Sequence, residues 1–286
     1  MADAGYSTPP GIDLRPPHPS DALAVAQLAE AVFGPGPDRS DLSAVARRFT
    51  HAIERCHPGS RLAYDGQGEL VGATIFSPRG GLLVLSLAIV DEHLQGRGVG
   101  RAMLEHFPAA RAGRNRVVMS SLDPKALRRY TKLGLAVRPC LSACGILRPG
   151  AVMAPAGAEQ CSPLEGAAVV DALAREARGE AYGDDIRMWE TSGDTLHLVG
   201  EEGAAVRQGG VIRILVARDE RAAIRVLRAA LAGVPPGETV HLRHVREGQD
   251  WALRTAVQAG LPLSPDGPLF SDEPLGRFHL PTGSVF

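Results

Sequence analysis

Gln95-Gly96-Arg97-Gly98-Val99-Gly100-Arg101 is the segment whose residue types and spacing point most directly to chemistry. It follows the apolar run 82–90, which reads as a strand buried on both faces. It precedes a run in which Val99, Ala102, Met103, His106 and Phe107 keep the 3.6-residue period of a helix from Val99 to about Ala110. At a helix start several backbone N–H groups lack partners and the dipole is positive. Glycines let that backbone approach an anion with no Cβ in the way. A diphosphate suits such a loop, and Arg97 and Arg101 are placed to add charge-assisted contacts. A tight turn without a ligand is the plain alternative. Spacing removes two nucleotide folds: Gly96-x-Gly98-x-Gly100 is out of phase with the dinucleotide fingerprint, and a P-loop would end Gly-Lys-Ser/Thr where this loop ends Gly100-Arg101-Ala102.

The elements that must position this loop can be read around it. Residues 1–10 are small, polar and proline-bearing, a flexible tail. A short strand at 12–15 precedes an Ala-rich helix with Ser20-Asp21 at its start and Val25, Leu28 and Val32 on one face. A second helix runs from Ser40 or Asp41 to about Cys56. Strands at 61–64 and 70–76 flank the turn Asp65-Gly66-Gln67-Gly68 as a hairpin. Beyond the loop come a strand at 116–119, a helix at 125–133 and strand material to Leu147. The proline- and glycine-bearing stretch 149–163 reads as a linker. A similar order then recurs: helix 164–177, hairpin 195–207, buried strand 211–217, helix 221–232, strand 240–245 and helix 249–259. Residues 126–135 lie without gaps over residues 252–261, with Ala, Leu, Arg, Gly and Leu matched, and each half carries Asp-Glu after its apolar strand, Asp91-Glu92 and Asp219-Glu220. A divergent duplication accounts for both anchors.

At this point the sequence resembles the GNAT superfamily of acyl-CoA-dependent N-acetyltransferases. The family loop, Gln/Arg-x-x-Gly-x-Gly/Ala directly after a strand, is matched at each fixed position by residues 95–100. A later family element is kept in spacing by Asp123, Ala126, Tyr130 and Gly134-Leu135, with Asp for the usual Asn and Leu for the usual Phe. The resemblance covers roughly residues 12–148. It implies an α/β architecture of two tandem GNAT-like domains, each a mixed, mostly antiparallel sheet flanked by helices: 11–148 catalytic, 164–286 degenerate. It also implies that Ala88, Ile89 and Val90 bind the pantetheine arm through their backbone, in the manner of an added strand. Gln95, Gly96, Arg97, Gly98, Val99, Gly100 and Arg101 then hold the diphosphate, with Asp123 in the cofactor set. The implied reaction moves an acetyl group from acetyl-CoA to a primary amine of a small molecule, without a metal. A non-catalytic acyl-CoA-binding protein and a protein N-acetyltransferase are the alternatives.

Acyl transfer to an amine needs a neutral nucleophile, a donor for the developing oxyanion and a proton for the leaving thiolate. By resemblance a backbone N–H near Val90 serves the oxyanion, and Tyr130 supplies the proton. A packed Tyr beside Ala126 and Leu133, with its hydroxyl satisfied locally, is the structural alternative. No base stands out: Glu54, His51, His57 and Asp123 are candidates, and a water chain would suffice. Asp184, Asp185 and Trp189 could face an amine acceptor. The second half has Arg221-Ala222-Ala223-Ile224-Arg225-Val226 where the loop would be, and Ala256 where Tyr130 would be, so it is expected to lack the cofactor and to serve as a pocket wall or dimerisation surface.

A formal net charge of -1 with 22% charged residues argues against nucleic-acid binding or a polybasic membrane role. The longest apolar stretch falls far short of the ~20 residues that span a bilayer, and a cytoplasmic protein is expected. Cys56, Cys140, Cys144 and Cys161 show neither disulfide nor zinc spacing and read as reduced core thiols. A homodimer is compatible with all of this.

Overall fold

The computed structural model describes residues 8–34, 41–105, 107 and 109–281. The chain forms two compact units. One runs through Pro78 and takes in Leu83–Arg114; the other comprises Arg79–Leu82 and the chain from Asn115 onward.

In the first unit, β1 (Asp13–Arg15), β2 (Arg61–Tyr64), β3 (Leu70–Arg79) and β4 (Leu82–Val90) are neighbours in that order. Alternation along these strands decides what covers each face. Leu62, Ala73, Ile75, Leu87 and Ile89 meet Val25, Leu28 and Ala29 of α1 (Ala22–Phe33) and Ala52 and Ile53 of α2 (Leu42–Glu54). Ala63 and Val71, on the opposite face, meet Val99 and Met103 of α3 (Val99–Met103). The Asp41 carboxylate caps α2 by accepting from the Ser43 N–H at 2.9 Å. Helix α3 is shorter than its periodicity predicts. The Glu105 and Phe107 N–H groups turn back to Ala102 and Leu104, three residues earlier, yet Phe107 is fully buried, so the apolar signal was correct while the helix was not. His106, which belongs to that signal, and Ser40 lie outside the described residues.

The second unit contains β5 (Asn115–Met119), α4 (Pro124–Lys132), β6 (Ala136–Ile146), β7 (Ala158–Cys161), α5 (Ala167–Arg178), α6 (Asp184–Thr191), β8 (Thr195–Val199), β9 (Gly203–Gln208), β10 (Val211–Ala217), α7 (Glu220–Ala232), β11 (Thr239–Arg246), α8 (Asp250–Gln258), β12 (Leu263–Ser271) and β13 (His279–Pro281). Its strand order is β5-β12-β6-β11-β10-β9-β8-β7, with β13 on β10. Helices α7 and α8 pack Val226, Ala230, Trp251 and Ala256 on one face. Helices α5 and α6 pack Leu173, Ile186 and Trp189 on the other. A bulge in β10 between Ile212 and Ile214 places Ile212 and Leu215 on the first face, Ile214 and Val216 on the second.

The repeat appears in the order of elements and in detail: Gly134 and Gly260, the matched glycines, both take left-handed backbone (φ 79 and 82) just after α4 and α8. The compact units are cut differently from the sequence halves. β5 and β6 belong to the larger unit because β12, from the second half, lies between them and β11 flanks β6. Part of the stretch read as a linker is strand β7, which ends the strand order among the described residues, pairs with β8 and carries no apolar pattern. β12 has no strand signature either. It contains Pro265-Asp266-Gly267-Pro268, and its register with β6 shifts between Asp266 and Leu269. A Cβ on Gly267 would collide with the Ser120 carbonyl, and the Asp266 carboxylate accepts from the His244 N–H at 2.9 Å and from Arg243 at 2.7 Å. Gly267→Ala is therefore expected to destabilise the chain by about 1–3 kcal/mol in urea unfolding, since backbone on both sides resists the added atom.

All four cysteines are free, and burial pushes their thiols up. His197, His244 and His279 are buried and lowered, chiefly by desolvation. His197, beside Arg207, falls from its ordinary 6.5 to about 4. Between those values the unfolded chain binds a proton that the folded chain refuses. Stability therefore falls as pH drops through that window, by about 1.4 kcal/mol per pH unit for this one group. His197→Gln is expected to flatten that acid-side slope when unfolding free energy is measured as a function of pH.

Candidate functional site

The loop after β4 is fixed from both ends by packing inside the first unit. Val99 and Met103 seat α3 against Ala63 and Val71, with Val90 and Leu94 packed on the same cluster. Gly72 in β3 admits Met103: a Cβ there would stand 2.8 Å from the Met103 methyl and 3.3 Å from the Ile89 carbonyl. Asp91 opens a short 3-10 turn, its carboxylate accepting from the His93 N–H at 2.9 Å. Gln95 then donates through Nε2 to the Val90 carbonyl at 3.2 Å, so the first residue of the loop is tied to the last residue of the strand. Gly96 and Gly98 both hold left-handed backbone, φ 81 and 92, which explains glycine at those two places.

What the loop leaves open is its backbone. The Arg97 N–H is used by the Leu94 carbonyl, and the Arg101 and Ala102 N–H groups by the Gly98 carbonyl. The N–H groups of Gly96, Gly98, Val99 and Gly100 make no hydrogen bond among the described residues. Gly96 and Arg97 are exposed, Gly98 and Gly100 half-buried, and a Cβ on Gly96 would meet nothing within 4 Å. Among the described residues these are four unpaired donors within five residues, flanked by Arg97 and Arg101, the kind of donor set that a polyanion would use. With α3 only five residues long, a macrodipole would add little to what the loop amides offer. Ala88, Ile89 and Val90 lie at the end of β4, with Ile89 buried and its neighbours half-buried.

Asp123 and Tyr130 belong to the second unit, at the two ends of α4. Asp123 is the N-cap, accepting from the Lys125 N–H at 2.9 Å, and Pro124 follows at the first helical position. Tyr130 is 7% exposed and meets Phe270 of β12 edge-on at 5.4 Å. Its hydroxyl makes no hydrogen bond among the described residues, so it is not the locally satisfied Tyr of the structural alternative. Burial above all pushes it up to about 12, with nearby Arg129 opposing and Asp123 adding to the effect. Phe270 was not foreseen, since β12 carries no strand pattern.

The suggested acceptor residues do not stand free. Asp185 is 1% exposed and paired with Arg79 at 3.2 Å, and Trp189 is fully buried against Tyr182. Asp184 is half-exposed, 3.7 Å from Arg187. Among the candidate bases, Glu54 pairs with Arg55 at 3.3 Å, while His57 accepts from the Gly59 N–H at 2.9 Å and is lowered by burial and by Arg114. Among the described residues no helix is long and apolar enough to cross a membrane, and no three His, Cys, Asp or Glu cluster to hold a metal.

At the sequence level no family model and no curated protein matches the chain. Solved structures do. A candidate acetyltransferase of Pyrococcus horikoshii is similar over 100% of this chain and 99% of its own, with a TM-score of 0.75 at 16% identity. A GCN5-related N-acetyltransferase of Sphaerobacter thermophilus is similar over 98% and 100%, TM-score 0.59, identity 18%. A tandem GNAT protein from the clavulanic acid biosynthesis pathway is similar over 92% and 99%, TM-score 0.58, identity 16%. The chain has the GNAT fold along its whole length, including the tandem arrangement that the internal repeat predicts.

If burial governs Tyr130 as described, spectrophotometric titration of Tyr130→Phe will show the same tyrosinate absorbance as the parent protein up to pH about 11, and a deficit only above it.

Proposed function

We propose that the protein is an acyl-CoA-dependent N-acyltransferase that moves an acetyl group from acetyl-CoA to a primary amine of a small molecule by direct transfer. The observation that carries this reading is the row of N–H groups at Gly96, Gly98, Val99 and Gly100 that find no partner among the described residues, in the loop after β4 in a GNAT fold. Diphosphate oxygens are strong acceptors and suit such a row; an ordinary turn would leave the donors to water. Arg97 and Arg101 add charge. The backbone of Ala88, Ile89 and Val90 takes the pantetheine arm as a strand takes a neighbour. The catalytic half is residues 11–148, and 164–286 is a second half without cofactor.

Acetyl-CoA supplies the thioester. The amine nitrogen forms the new C–N bond at the carbonyl carbon, the C–S bond breaks, and its electron pair leaves with sulfur. The Val90 N–H is assigned to the oxygen that gains charge. Tyr130 is assigned to the sulfur. A hydroxyl held near 12 stays protonated throughout the working range, so it donates a hydrogen bond to the departing thiolate at any ordinary pH. The ammonium gives up its proton to water; of the side chains weighed as bases, Asp123 caps α4, Glu54 pairs with Arg55 and His57 holds a local turn.

Two variants test this with calorimetry and a coupled thiol-release assay over an amine library. Gly98→Trp is expected to abolish acetyl-CoA binding, since the side chain enters the loop and the backbone there needs φ near 92. Tyr130→Phe should bind acetyl-CoA unchanged while turnover falls on the order of 10²–10⁴-fold. Binding without turnover on any amine would make the protein a non-catalytic acyl-CoA binder. Absence of binding to folded parent protein would remove the proposal.

A further inference from the structure

In the second half, β10 and β11 part after a single parallel pair, Val211 with His241. There the His241 N–H meets the Gly210 carbonyl at 2.9 Å, and Gly210 has no room for a Cβ against Thr239. Beyond that point β10 still pairs with β9 on its far edge, while its near edge takes a segment from the end of the described chain. Ile214, Leu215 and Val216 pair antiparallel with Pro281, Leu280 and His279, and the Ala217 N–H donates to the Phe278 carbonyl at 3.0 Å.

The segment is also held from β11 and α8. Arg246 donates to the carbonyls of Gly276 (2.6 Å) and His279 (3.0 Å). Gln249 donates to the carbonyls of His279 (2.8 Å) and Arg277 (3.3 Å), and the Trp251 indole donates to Arg277 at 3.2 Å. The His279 ring meets the Tyr182 hydroxyl at 2.9 Å. Arg246, Gln249, Trp251, Tyr182 and His279 are all 5% exposed or less. Three buried polar side chains directed at one backbone segment, with a fourth, Tyr182, on the ring of its His279, constitute a built peptide site.

The register of the repeat says what this site corresponds to. Matching Asp219-Glu220 with Asp91-Glu92 sets Val216, Ala217 and Arg218 against Ala88, Ile89 and Val90. These are the residues whose first-half counterparts are assigned to pantetheine. The counterpart of the diphosphate loop is closed as well. The Asp219 carboxylate accepts from the Ala222 N–H at 2.8 Å, so α7 starts on an anion from its own chain where the first-half loop leaves its donors open.

We propose that residues 276–281 are an internal occupant of the second half's cofactor groove, a backbone segment standing in for pantetheine, with the Asp219 carboxylate standing in for phosphate. The chain therefore carries one acyl-CoA, and its second half is held closed by its own C-terminal segment. The correspondence to pantetheine rests on the acyl-CoA reading of the first half; the occupancy itself does not.

Amide hydrogen exchange on the full chain, with and without acetyl-CoA, separates the two. Without ligand, the Ala217 amide should exchange on the order of a hundredfold more slowly than in a chain ending at Leu275, and a synthetic peptide with the sequence of residues 276–281 should restore that protection. Acetyl-CoA should slow exchange at residues 88–100 and leave 214–219 unchanged, with one molecule bound per chain. Should the shortened chain fail to fold, the parent protein still decides. Free exchange at Ala217, ligand-dependent slowing at 214–219, or two acetyl-CoA per chain would each overturn the proposal. Ala217 protected with no acetyl-CoA bound at all would support the occupant and count against the first-half reading instead.

Discussion

β6 and β12 pair antiparallel from Ala136 with Ser271 to Ala143 with Leu263, and most of the larger unit depends on that contact. One strand comes from each half of the chain. Their outer edges are then taken crosswise, β12 by β5 of the first half and β6 by β11 of the second. Backbone hydrogen bonding leaves no alternative once this is set, because an unpaired buried strand edge is costly. Neither half can complete its own sheet without a strand of the other. This is why the compact units ignore the boundary at which the sequence repeats.

The charged groups buried in that unit follow from the same constraint. The Arg116 guanidinium forks onto Asp272 at 3.0 and 2.7 Å, joining the start of β5 to the end of β12. Asp266 receives Arg243 and the His244 N–H at the two-residue irregularities where β11 and β12 flank β6, with His244 at φ 54. Burial drives Arg246 down to about 10, yet its guanidinium is satisfied by carbonyl groups and Gln249. These pairs add registry more than stability: each is correct only when strands from distant parts of the chain arrive together.

The same architecture carries two different helix starts. Between β4 and α3 the chain spends eight residues, two of them glycines in left-handed backbone, and leaves loop N–H groups without a partner among the described residues. Between β10 and α7 it spends two, and the Asp219 carboxylate accepts the Ala222 N–H. The two halves thus share an order of elements and differ in the loop residues that start the helix after the buried strand. In the first half the loop's helix also depends on Gly72, remote in sequence, which leaves room for Met103 of α3.

The sequence by itself determined the elements whose signal is local. β2, β4, β8 and β10 have the bounds that apolar runs and turns predict, because a strand buried on both faces must be mostly apolar between its turns. The glycine loop and the repeated C-terminal glycines were legible for a similar reason: only glycine adopts their backbone readily, so its position is informative. Tertiary structure decided the rest. β12, rich in proline and glycine, is a strand only because β5 and β6 pair with it. β7 is a strand only because β8 offers an edge. α3 stops early although Phe107 continues its apolar face. Asp185 and Trp189, polar or amphipathic enough to suggest an acceptor site, are buried because Arg79 and Tyr182 reach them across the fold. Local propensity is worth tenths of a kcal/mol per residue, and a full set of sheet hydrogen bonds and buried partners outweighs it wherever distant strands meet.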